Sequence, residues 1–330
     1  MYLAPRCTPP NDFMKTGFTL LFAALFIVSC SNNSNDNDLI SVPVEALSTI
    51  NEQNEAEIIV FLQSHFYDNE SSILPIEEAP EKTPSLWDDP RLGVKQVYVR
   101  PSEFNLDTTA YTAAEIESGI AHNLYYLMVQ EGAGNTVTTA DSVYVQYSGR
   151  TLDLALFDQV RQGGLWFDLS RIQAPQQGFR GFAEGAALLK TATQIAENND
   201  GTFSASDAGR GFFFFGSGLG AYQNAQATIP AYGAMFFEIT VLSRKITDHD
   251  GDGIPSYLED LNKNGFLFDD NTDAAYEAAN NLAVLPNYFD NDDDGDGTPT
   301  ACEISLGLDP LNADTCYDAD QDGDCDRCDD

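Results

Sequence analysis

Apolar and polar residues alternate with a period of two at residues 143–148, within the stretch 141–160, DSVYVQYSGRTLDLALFDQV. Val143, Val145 and Tyr147 occupy alternate positions, which predicts a strand with one buried face. The same period returns at residues 94–99, 123–130 and 235–242, where we also expect strands. The strand at 123–130 should pair with the strand at 143–147 across a turn at 132–139. A short apolar helix is expected at residues 186–193.

A helical period precedes these strands, at about residues 50–67. Its apolar positions from Ile58 to Phe66 recur at intervals of three and four, and Thr49 with Glu52 forms a capping-box pattern. We expect the apolar face of this helix to pack on the domain that follows. Residues 68–90 contain four prolines and many acids, so they are expected to be a linker without a stable element of its own.

Charge is distributed very unevenly along the 330 residues. The net charge is −36, from 16 Lys and Arg against 52 Asp and Glu, which argues against nucleic acid or anionic lipid as a partner. Residues 246–330 contain 24 of the acids and only two basic residues. Such a block is either a disordered tail or a site for multivalent cations, and the spacing of the acids distinguishes these alternatives.

The acids are spaced for calcium. Asp248, Asp250, Asp252, Gly253 and Glu259 fit the template D-x-D-x-D-G-x5-E. Oxygen ligands at positions 1, 3, 5 and 12 suit Ca²⁺, and the glycine at position 6 allows the sharp turn. The template recurs in full at Asp292, Asp294, Asp296 and Glu303. It recurs in weaker form at Asp260, Asn262 and Asn264, and again at Asp318, Asp320 and Asp322. We therefore expect Ca²⁺ as a structural ion.

The acidic run resembles thrombospondin type 3 repeats, because paired helices are not evident around the loops. The phrase LGLDP at residues 306–310 also resembles the bacterial form of that repeat. The resemblance implies Asp-rich loops wrapped around calcium ions in place of a hydrophobic core. Four cysteines in the same segment suggest disulfides with three possible pairings, or less readily a zinc site: Cys302, Cys316, Cys325 and Cys328.

Residues 141–245 resemble the FKBP-type peptidyl-prolyl isomerases. Four motifs occur in the family's order: V-x-Y at 145–147, the pair Phe157 and Asp158 ten residues later, the glycine-rich segment GFRGFAEG at 178–185, and Ile229-Pro230 before the last strand. The resemblance implies an α+β fold in which an antiparallel half-barrel sheet wraps a short helix. It also implies cis–trans isomerisation of X-Pro bonds.

An apolar site favours the cis–trans isomerisation of an X-Pro bond. Rotation about a peptide bond has a barrier of about 18–20 kcal/mol. The twisted bond is less polar than the planar one, so a pocket that excludes water favours the transition state, and a donor to the substrate carbonyl helps. No catalytic cofactor is needed.

The resemblance implies pocket positions for eight residues: Tyr147, Phe157, Asp158, Phe179, Phe182, Tyr222, Ile229 and Phe237. Phe182 takes the place of the family's tryptophan. Tyr222 is the candidate donor to the substrate carbonyl, and the family's A-Y-G occurs here one residue out of step, as Gly220-Ala221-Tyr222. Trp166 or Phe167 would form the remaining aromatic wall, beside a long loop expected at residues 161–177. Each aromatic residue alone is also compatible with an ordinary core position.

The N-terminus has the features of an export signal. A basic start at Met14, the expected true initiator, is followed by an apolar stretch too short to span a bilayer. Residues 1–29 therefore read as a signal peptide. The stretch IVSC at 27–30 resembles a bacterial lipobox, which implies lipidation of Cys30 and a location in the bacterial envelope, on the periplasmic side or the outer-membrane surface.

The expected organisation is a signal peptide at 1–29, a tether, helix and linker at 30–90, an isomerase domain at 91–245 and calcium repeats at 246–330. The expected partners are proline-containing polypeptides and a membrane reached through the lipid, with a monomeric chain and no nucleic acid. The alternative is a non-catalytic binding or adhesion module on a calcium-stabilised stalk. Convergence of the pocket residues on one open cleft favours the enzyme. A Tyr222 that points away, together with a cleft plugged by Trp166 or by the loop at 161–177, favours the binding module.

Overall fold

The computed structural model describes residues 44–70, 72–198, 203–226 and 228–312. The predictions for the signal peptide, Cys30, the loop of Asp318, Asp320 and Asp322, and the cysteines Cys316, Cys325 and Cys328 lie outside these residues. The described residues all belong to one compact unit that begins at Val44. Within them, no helix is both long enough and apolar enough to cross a membrane.

The described part of the chain contains five α-helices and ten strands. The helices are α1 (Leu47–Ser64), α2 (Ala113–Ser118), α3 (Arg180–Ala186), α4 (Ala274–Asn280) and α5 (Thr300–Leu306). The strands are β1 (His65–Tyr67), β2 (Ile73–Pro75), β3 (Leu92–Val99), β4 (Ile120–Gln130), β5 (Ser142–Thr151), β6 (Leu156–Asp168), β7 (Gln194–Glu197), β8 (Phe203–Ser206), β9 (Gly209–Phe215) and β10 (Met235–Lys245). Six of the strands form an antiparallel sheet in the order β3-β4-β9-β10-β5-β6, and the other four form two hairpins.

Strand β9 is buried on both faces of this sheet. Phe213 and Phe215 point to the side of α3, whereas Phe212 and Phe214 point to the side of α1. Successive side chains of a strand alternate between faces, so a run of four phenylalanines fills two layers at once. The sheet therefore separates two apolar clusters, and α3 and much of α1 lie on opposite sides of it.

Helix α1 begins and ends about three residues earlier than the predicted range of 50–67. The predicted cap at Thr49 is not used, because the helix starts at Leu47 after Ala46, which makes no side-chain cap. It ends at Ser64, and His65 and Phe66 belong to β1. Its apolar face packs on the sheet, as expected, and buries Leu47, Ile50, Ile58, Phe61 and Leu62.

Residues 68–90 are more structured than the linker prediction allows. They contain β2, which pairs with β1, and a short 3₁₀ turn at Ile76–Glu78. Leu86 is fully buried in the apolar cluster under α1. The many prolines limit this segment to short elements but do not prevent it from packing.

The predicted pairing of the strand at 123–130 with the strand at 143–147 is wrong. Strand β4 pairs with β3 and β9, whereas β5 pairs with β10 and β6. The expected loop at 161–177 is also shorter than predicted, because β6 continues to Asp168. Proximity in sequence suggested a hairpin, but the sheet places β9 and β10 between the two strands.

The short helix lies within the glycine-rich segment and not at residues 186–193. Helix α3 spans Arg180–Ala186 and packs on the core side of β9. A Cβ added at Gly185 would lie 2.6 Å from the ring of Phe213, so the glycine allows the helix to approach the strand closely. A mixed α/β architecture with an antiparallel six-stranded sheet and few helices is confirmed.

The acidic segment after β10 is built from loops, short 3₁₀ turns and two short helices. Its apolar centre is small and consists of Leu267 and Tyr288 packed with Ala140 of the sheet domain, flanked by Phe268 and Phe289. Cys302 is disulfide-bonded. Because so little apolar surface is buried here, other interactions must hold the segment together.

Candidate peptide-binding cavity and acidic loops

An open cavity of about 270 Å³ lies between the end of the sheet and α3. Strands β5, β6 and β10 supply its walls, α3 supplies part of its floor, and residues 172–178 form one rim. The residues that line it are Tyr147, Asp158, Phe167, Ile172, Pro175, Gln176, Gln177, Gly178, Phe179, Phe182, Gln226 and Phe237. The cavity is therefore largely aromatic, with polar groups at its edge.

The aromatic rings meet mainly edge to face. Phe182 packs against Tyr147 with ring centroids 5.7 Å apart and an interplanar angle of 88°, and against Phe237 at 5.1 Å and 86°. Phe157 lies behind the wall and meets the Phe237 ring at 5.3 Å and 80°. Such edge-to-face packing holds each ring in one orientation, so the cavity is preformed.

A glycine makes this packing possible. Gly149 follows Tyr147 by two residues on β5, opposite Phe237 of β10 and Asp158 of β6. A Cβ at this position would lie 2.4 Å from the Phe157 ring and 2.6 Å from the Phe237 ring. The V-x-Y-x-G pattern therefore has a steric basis, since only glycine leaves room for the two rings across the strand.

Tyr147 and Asp158 form a hydrogen-bonded pair on the cavity wall. The Tyr147 hydroxyl donates to Oδ2 of Asp158 at 2.6 Å. Burial and this bond raise the pKa of Tyr147 above its ordinary value, so the phenol stays protonated and remains a donor. The Asp158 side chain is exposed to the solvent, and it presents a carboxylate to anything that enters the cavity.

Three glutamines bring amide groups to the rim: Gln176 and Gln177 from the loop before α3, and Gln226 from the loop before β10. A glutamine side chain offers two N–H donors and one carbonyl acceptor. These residues were not found from the sequence, because no motif singles them out and the rim forms only when the two loops meet.

Tyr222 does not line the cavity. It is fully buried, packs on Phe104, and donates its hydroxyl to the carbonyl of Glu45 just before α1. The prediction that Tyr222 donates to a bound carbonyl is therefore wrong for this structure. The reason is the one-residue offset of the motif Gly220-Ala221-Tyr222, together with α1, which offers the hydroxyl a buried acceptor.

Ile229 and Trp166 are also absent from the cavity lining. Ile229 is buried in the main core cluster. Trp166 is 51% exposed, next to Tyr144 on the other face of β6, so Phe167 forms the aromatic wall. The alternation of β6 decides between these two neighbours, because consecutive side chains point to opposite faces.

A buried charge network supports the floor of the cavity. Arg180, at the start of α3, donates to both carboxylate oxygens of Glu103, at 3.0 and 3.3 Å, and its guanidinium lies 4.1 Å from the centre of the Phe266 ring. Glu184, one turn later, accepts from Lys95 at 2.6 Å. Burial raises the pKa of Glu103, and the nearby Arg180 opposes that rise.

The three acidic loops within the described residues share one local conformation. In each loop the first Asp accepts a hydrogen bond from the backbone N–H of the glycine at position 6: Asp248 from Gly253, Asp260 from Gly265, and Asp292 from Gly297. These glycines have φ values of 100°, 82° and 93°. The sharp turn that the template predicts is present, and it folds the acidic side chains toward one another.

Three oxygen-rich groups lie close together in two of these loops. Ligand atoms lie within 4.8 Å of one another in each group: Asp248, Asp250 and Asp252; Asp252, Glu259 and Asp293; and Asp292, Asp294 and Asp296. A further group, which the template does not include, is Asp273, Glu277 and Asp290. In the weaker loop, which starts at Asp260, position 12 is Asn271, and its side-chain amide donates to Glu277. The neighbouring Asp270, and not Asn271, accepts a hydrogen bond from Asn262 of this loop.

Many of these carboxylates are buried without a donor. Both oxygens of Glu259 and both oxygens of Glu303 have no hydrogen-bond partner among the described residues. Burial and neighbouring acids raise the pKa of Glu259 to about 9 and that of Glu303 to about 7. Buried carboxylates that repel one another fit a bound divalent cation, and an all-oxygen donor set suits calcium.

Comparisons with known proteins give partial likenesses. Residues 249–313 match the family model described as BamM C-terminal. A search of curated proteins gives no match. The structural neighbours are FKBP-type peptidyl-prolyl isomerases, matched at low TM-score over part of the chain.

Three solved structures illustrate the likeness. FkpA from Escherichia coli is 22% identical with a TM-score of 0.28, over 37% of this chain and 48% of FkpA. The peptidyl-prolyl isomerase from Pseudomonas syringae pv. tomato is 18% identical with a TM-score of 0.28, over 37% of this chain and 75% of that protein. The N-terminal domain of FKBP42 from Arabidopsis thaliana is 13% identical with a TM-score of 0.28, over 37% of this chain and 86% of that domain. The chain thus spans about half the length of FkpA.

Proposed function

We propose that this protein is an exported FKBP-type peptidyl-prolyl cis–trans isomerase that acts on proline-containing segments of other exported proteins. The observation that carries the proposal is the preformed aromatic cavity in which Tyr147 and Asp158 are paired at 2.6 Å above Phe182. A proline ring fits an apolar recess of this kind, and the carboxylate at the rim faces the peptide backbone on either side of it.

The cavity supports catalysis without a nucleophile or a cofactor. Its aromatic walls exclude water from the bound X-Pro bond, which favours the less polar twisted state over the planar one. The glutamine amides at the rim take over the role expected of Tyr222, since their N–H groups can donate to the substrate carbonyl.

Calcium is proposed as a structural ion in the loops that start at Asp248 and Asp292. The unpartnered, buried oxygens of Glu259 and Glu303 support this assignment. The match of residues 249–313 to the BamM C-terminal family model supports an outer-membrane-associated context, and lipidation of Cys30 is the proposed means of attachment.

The second candidate is a peptide-binding module without turnover. It is favoured by the burial of Tyr222, which leaves the cavity without the donor that the FKBP resemblance implies. In this case the same cavity holds proline-containing segments but does not accelerate their isomerisation.

A protease-coupled isomerase assay on the full chain with calcium present distinguishes the two candidates. The enzyme accelerates cis–trans exchange of an X-Pro peptide, and Tyr147→Phe and Asp158→Ala variants lose most of that acceleration. A folded protein that binds the peptide but leaves its exchange rate unchanged is the binding module. A folded protein with neither property contradicts both candidates.

A further inference from the structure

Asp293 is a buried acid that the calcium template leaves without a role. It occupies position 2 of the loop that starts at Asp292, where the template requires no ligand. Its side chain is 1% exposed, and neither carboxylate oxygen has a hydrogen-bond partner among the described residues. Burial without a partner is costly for a carboxylate, so this position calls for a cation.

The carboxylate of Asp293 faces the other full loop. One oxygen each from Asp293, Asp252 and Glu259 lie within 4.8 Å of one another. Asp252 and Glu259 are positions 5 and 12 of the loop that starts at Asp248. Burial and then the charges of Asp252 and Asp250 raise the pKa of Asp293 to about 8.

The three residues of this group and the neighbouring Asp250 carry further oxygens that could serve as ligands. Six buried carboxylate oxygens lack a donor within the described residues: Asp250 Oδ2, Asp252 Oδ2, both oxygens of Glu259 and both oxygens of Asp293. Calcium takes about six to eight oxygen ligands at flexible geometry, whereas Mg²⁺ keeps several waters. The donor set therefore favours calcium.

The backbone around Asp293 holds the side chain in this direction. Its N–H donates to Oγ1 of Thr300 at 3.2 Å, and the N–H of Thr300 donates to the carbonyl of Asn291 at 2.9 Å. Asp292 and Asp294, on either side, belong to the separate group with Asp296. Adjacent residues thus point their carboxylates into two different clusters.

We infer that Asp293 is a ligand of the calcium ion in the loop that starts at Asp248, so that one ion is shared between two loops. This inference rests on the proposed calcium binding. The shared ion links residues 248–259 to residues 290–303 directly, in a segment whose apolar centre is small. Filling of this site then depends on both loops, and neither loop alone offers the complete ligand set.

Calorimetric titration of the full chain with CaCl₂ tests the inference through double-mutant cycles. Asp293→Asn keeps the shape and the backbone hydrogen bonds, and should weaken one site about tenfold or more, since ligand charge tunes affinity over decades. Glu259→Gln should weaken the same site. The double variant should lose less than the sum of the two losses, because both residues serve one ion.

A second double-mutant cycle pairs Asp293→Asn with Glu303→Gln. The template assigns Glu303 to the loop that contains Asp293. Losses from Asp293→Asn and Glu303→Gln should add, because the two residues serve different ions. Glu131→Gln is the control for removal of one negative charge, since Glu131 is exposed and paired with Lys190 far from the loops in sequence. It should leave calcium binding unchanged.

Two results overturn the inference. One is wild-type calcium affinity in Asp293→Asn, and the other is coupling of Asp293 to Glu303 in place of Glu259. Both leave the proposed calcium binding intact. A wild-type chain that binds no calcium removes the proposed calcium role and this inference together, so the two failures are distinguishable.

Discussion

Asp158 is the only charged side chain among the described residues that line the cavity. We expect Asp158→Ala to lower kcat/KM for an X-Pro peptide about tenfold or more, since a hydrogen bond to a charged group contributes about 1.5–3 kcal/mol. The variant also loses the bond from the Tyr147 hydroxyl, so the free energy of unfolding should fall by no more than about 1.5–3 kcal/mol. The measurement is the protease-coupled assay beside a urea unfolding curve.

Trp166→Ala is the matched control for this change. The ring is aromatic and lies on a cavity strand, but it is exposed on the opposite face of β6. Its removal should leave kcat/KM within about twofold, because the ring packs on Tyr144 and does not line the cavity, and surface substitutions have small effects. A loss as large as that of Asp158→Ala would place the substrate on the outer face of the sheet and contradict the proposed site.

Arg180 holds two buried acids in place beneath the cavity. It is 4% exposed and contacts Glu103, whose side chain is 8% exposed, and Glu184, which is fully buried. Arg180→Met should destabilise the protein by about 3–5 kcal/mol, because it leaves uncompensated buried charge. Lys190→Met removes one partner of an exposed pair with Glu131 and should cost no more than about 1 kcal/mol. Equal midpoints for the two variants in urea would show that the buried network is not needed.

At the scale of elements, helix α1 packs on the six-stranded sheet although it precedes the predicted domain boundary at residue 91. Its five buried apolar residues each contribute about 1.5–3 kcal/mol. A typical domain has a net stability of only about 5–15 kcal/mol, so the loss of several such contacts is enough to unfold it. Asn54 adds polar contacts, since its Oδ1 accepts from the backbone and the hydroxyl of Ser217, both at 2.8 Å.

A fragment that starts at residue 91 should therefore fail to fold cooperatively. We expect it to show no sigmoidal urea transition, whereas a fragment that starts at residue 44 should unfold like the full chain. The measurement is the near-UV circular dichroism of both fragments against denaturant. A cooperative transition in the shorter fragment would mean that α1 is an accessory and that the core is complete without it.

Four of the ten strands in the described residues were predicted, but the pairing expected for two of them was wrong. Period two located β3, β4, β5 and β10 because each has one face with a consistent apolar pattern. Strand β9 escaped detection since its run of phenylalanines fills both faces and lacks alternation. The pairing of β4 with β9 depends on contacts between residues far apart in sequence, which local periodicity does not contain.

The motifs predicted some of the residues that line the cavity and misplaced others. Tyr147, Asp158, Phe179, Phe182 and Phe237 lie at the cavity, and all of them sit on elements that the motifs themselves define. Tyr222 and Ile229 belong to the irregular segment before β10, where a one-residue offset redirects a side chain. Helix α3 was misplaced because its glycines oppose helix formation locally, whereas close packing on β9 requires them.

At the scale of the whole molecule, the acidic segment and the cavity share a wall. Pro175 and Gln176 line the cavity on one side and a crevice with Phe266, Phe268 and Asp269 on the other. Asp269 pairs with Arg100 at 2.7 Å. His249 contacts Asp168 at the end of β6 at 3.1 Å. The first two acidic loops are thus joined to the elements that form the rim and wall of the cavity.

Calcium removal should therefore change both the stability of the segment and the activity at the cavity. Without a cation, the crowded carboxylates repel one another, and the loop that carries Phe266 and Asp269 should loosen from the rim. We expect a chelator to lower the melting temperature and to lower kcat/KM for an X-Pro peptide about fivefold or more, the lower range of typical coupling between sites. Phe266→Ala, which removes the contact with Arg180 but no predicted calcium ligand, should keep calcium binding and lose most of this dependence. Equal activity with calcium and with chelator, in a chain whose melting temperature does respond to calcium, would show that the shared wall carries no coupling and that the ions stabilise the acidic segment alone.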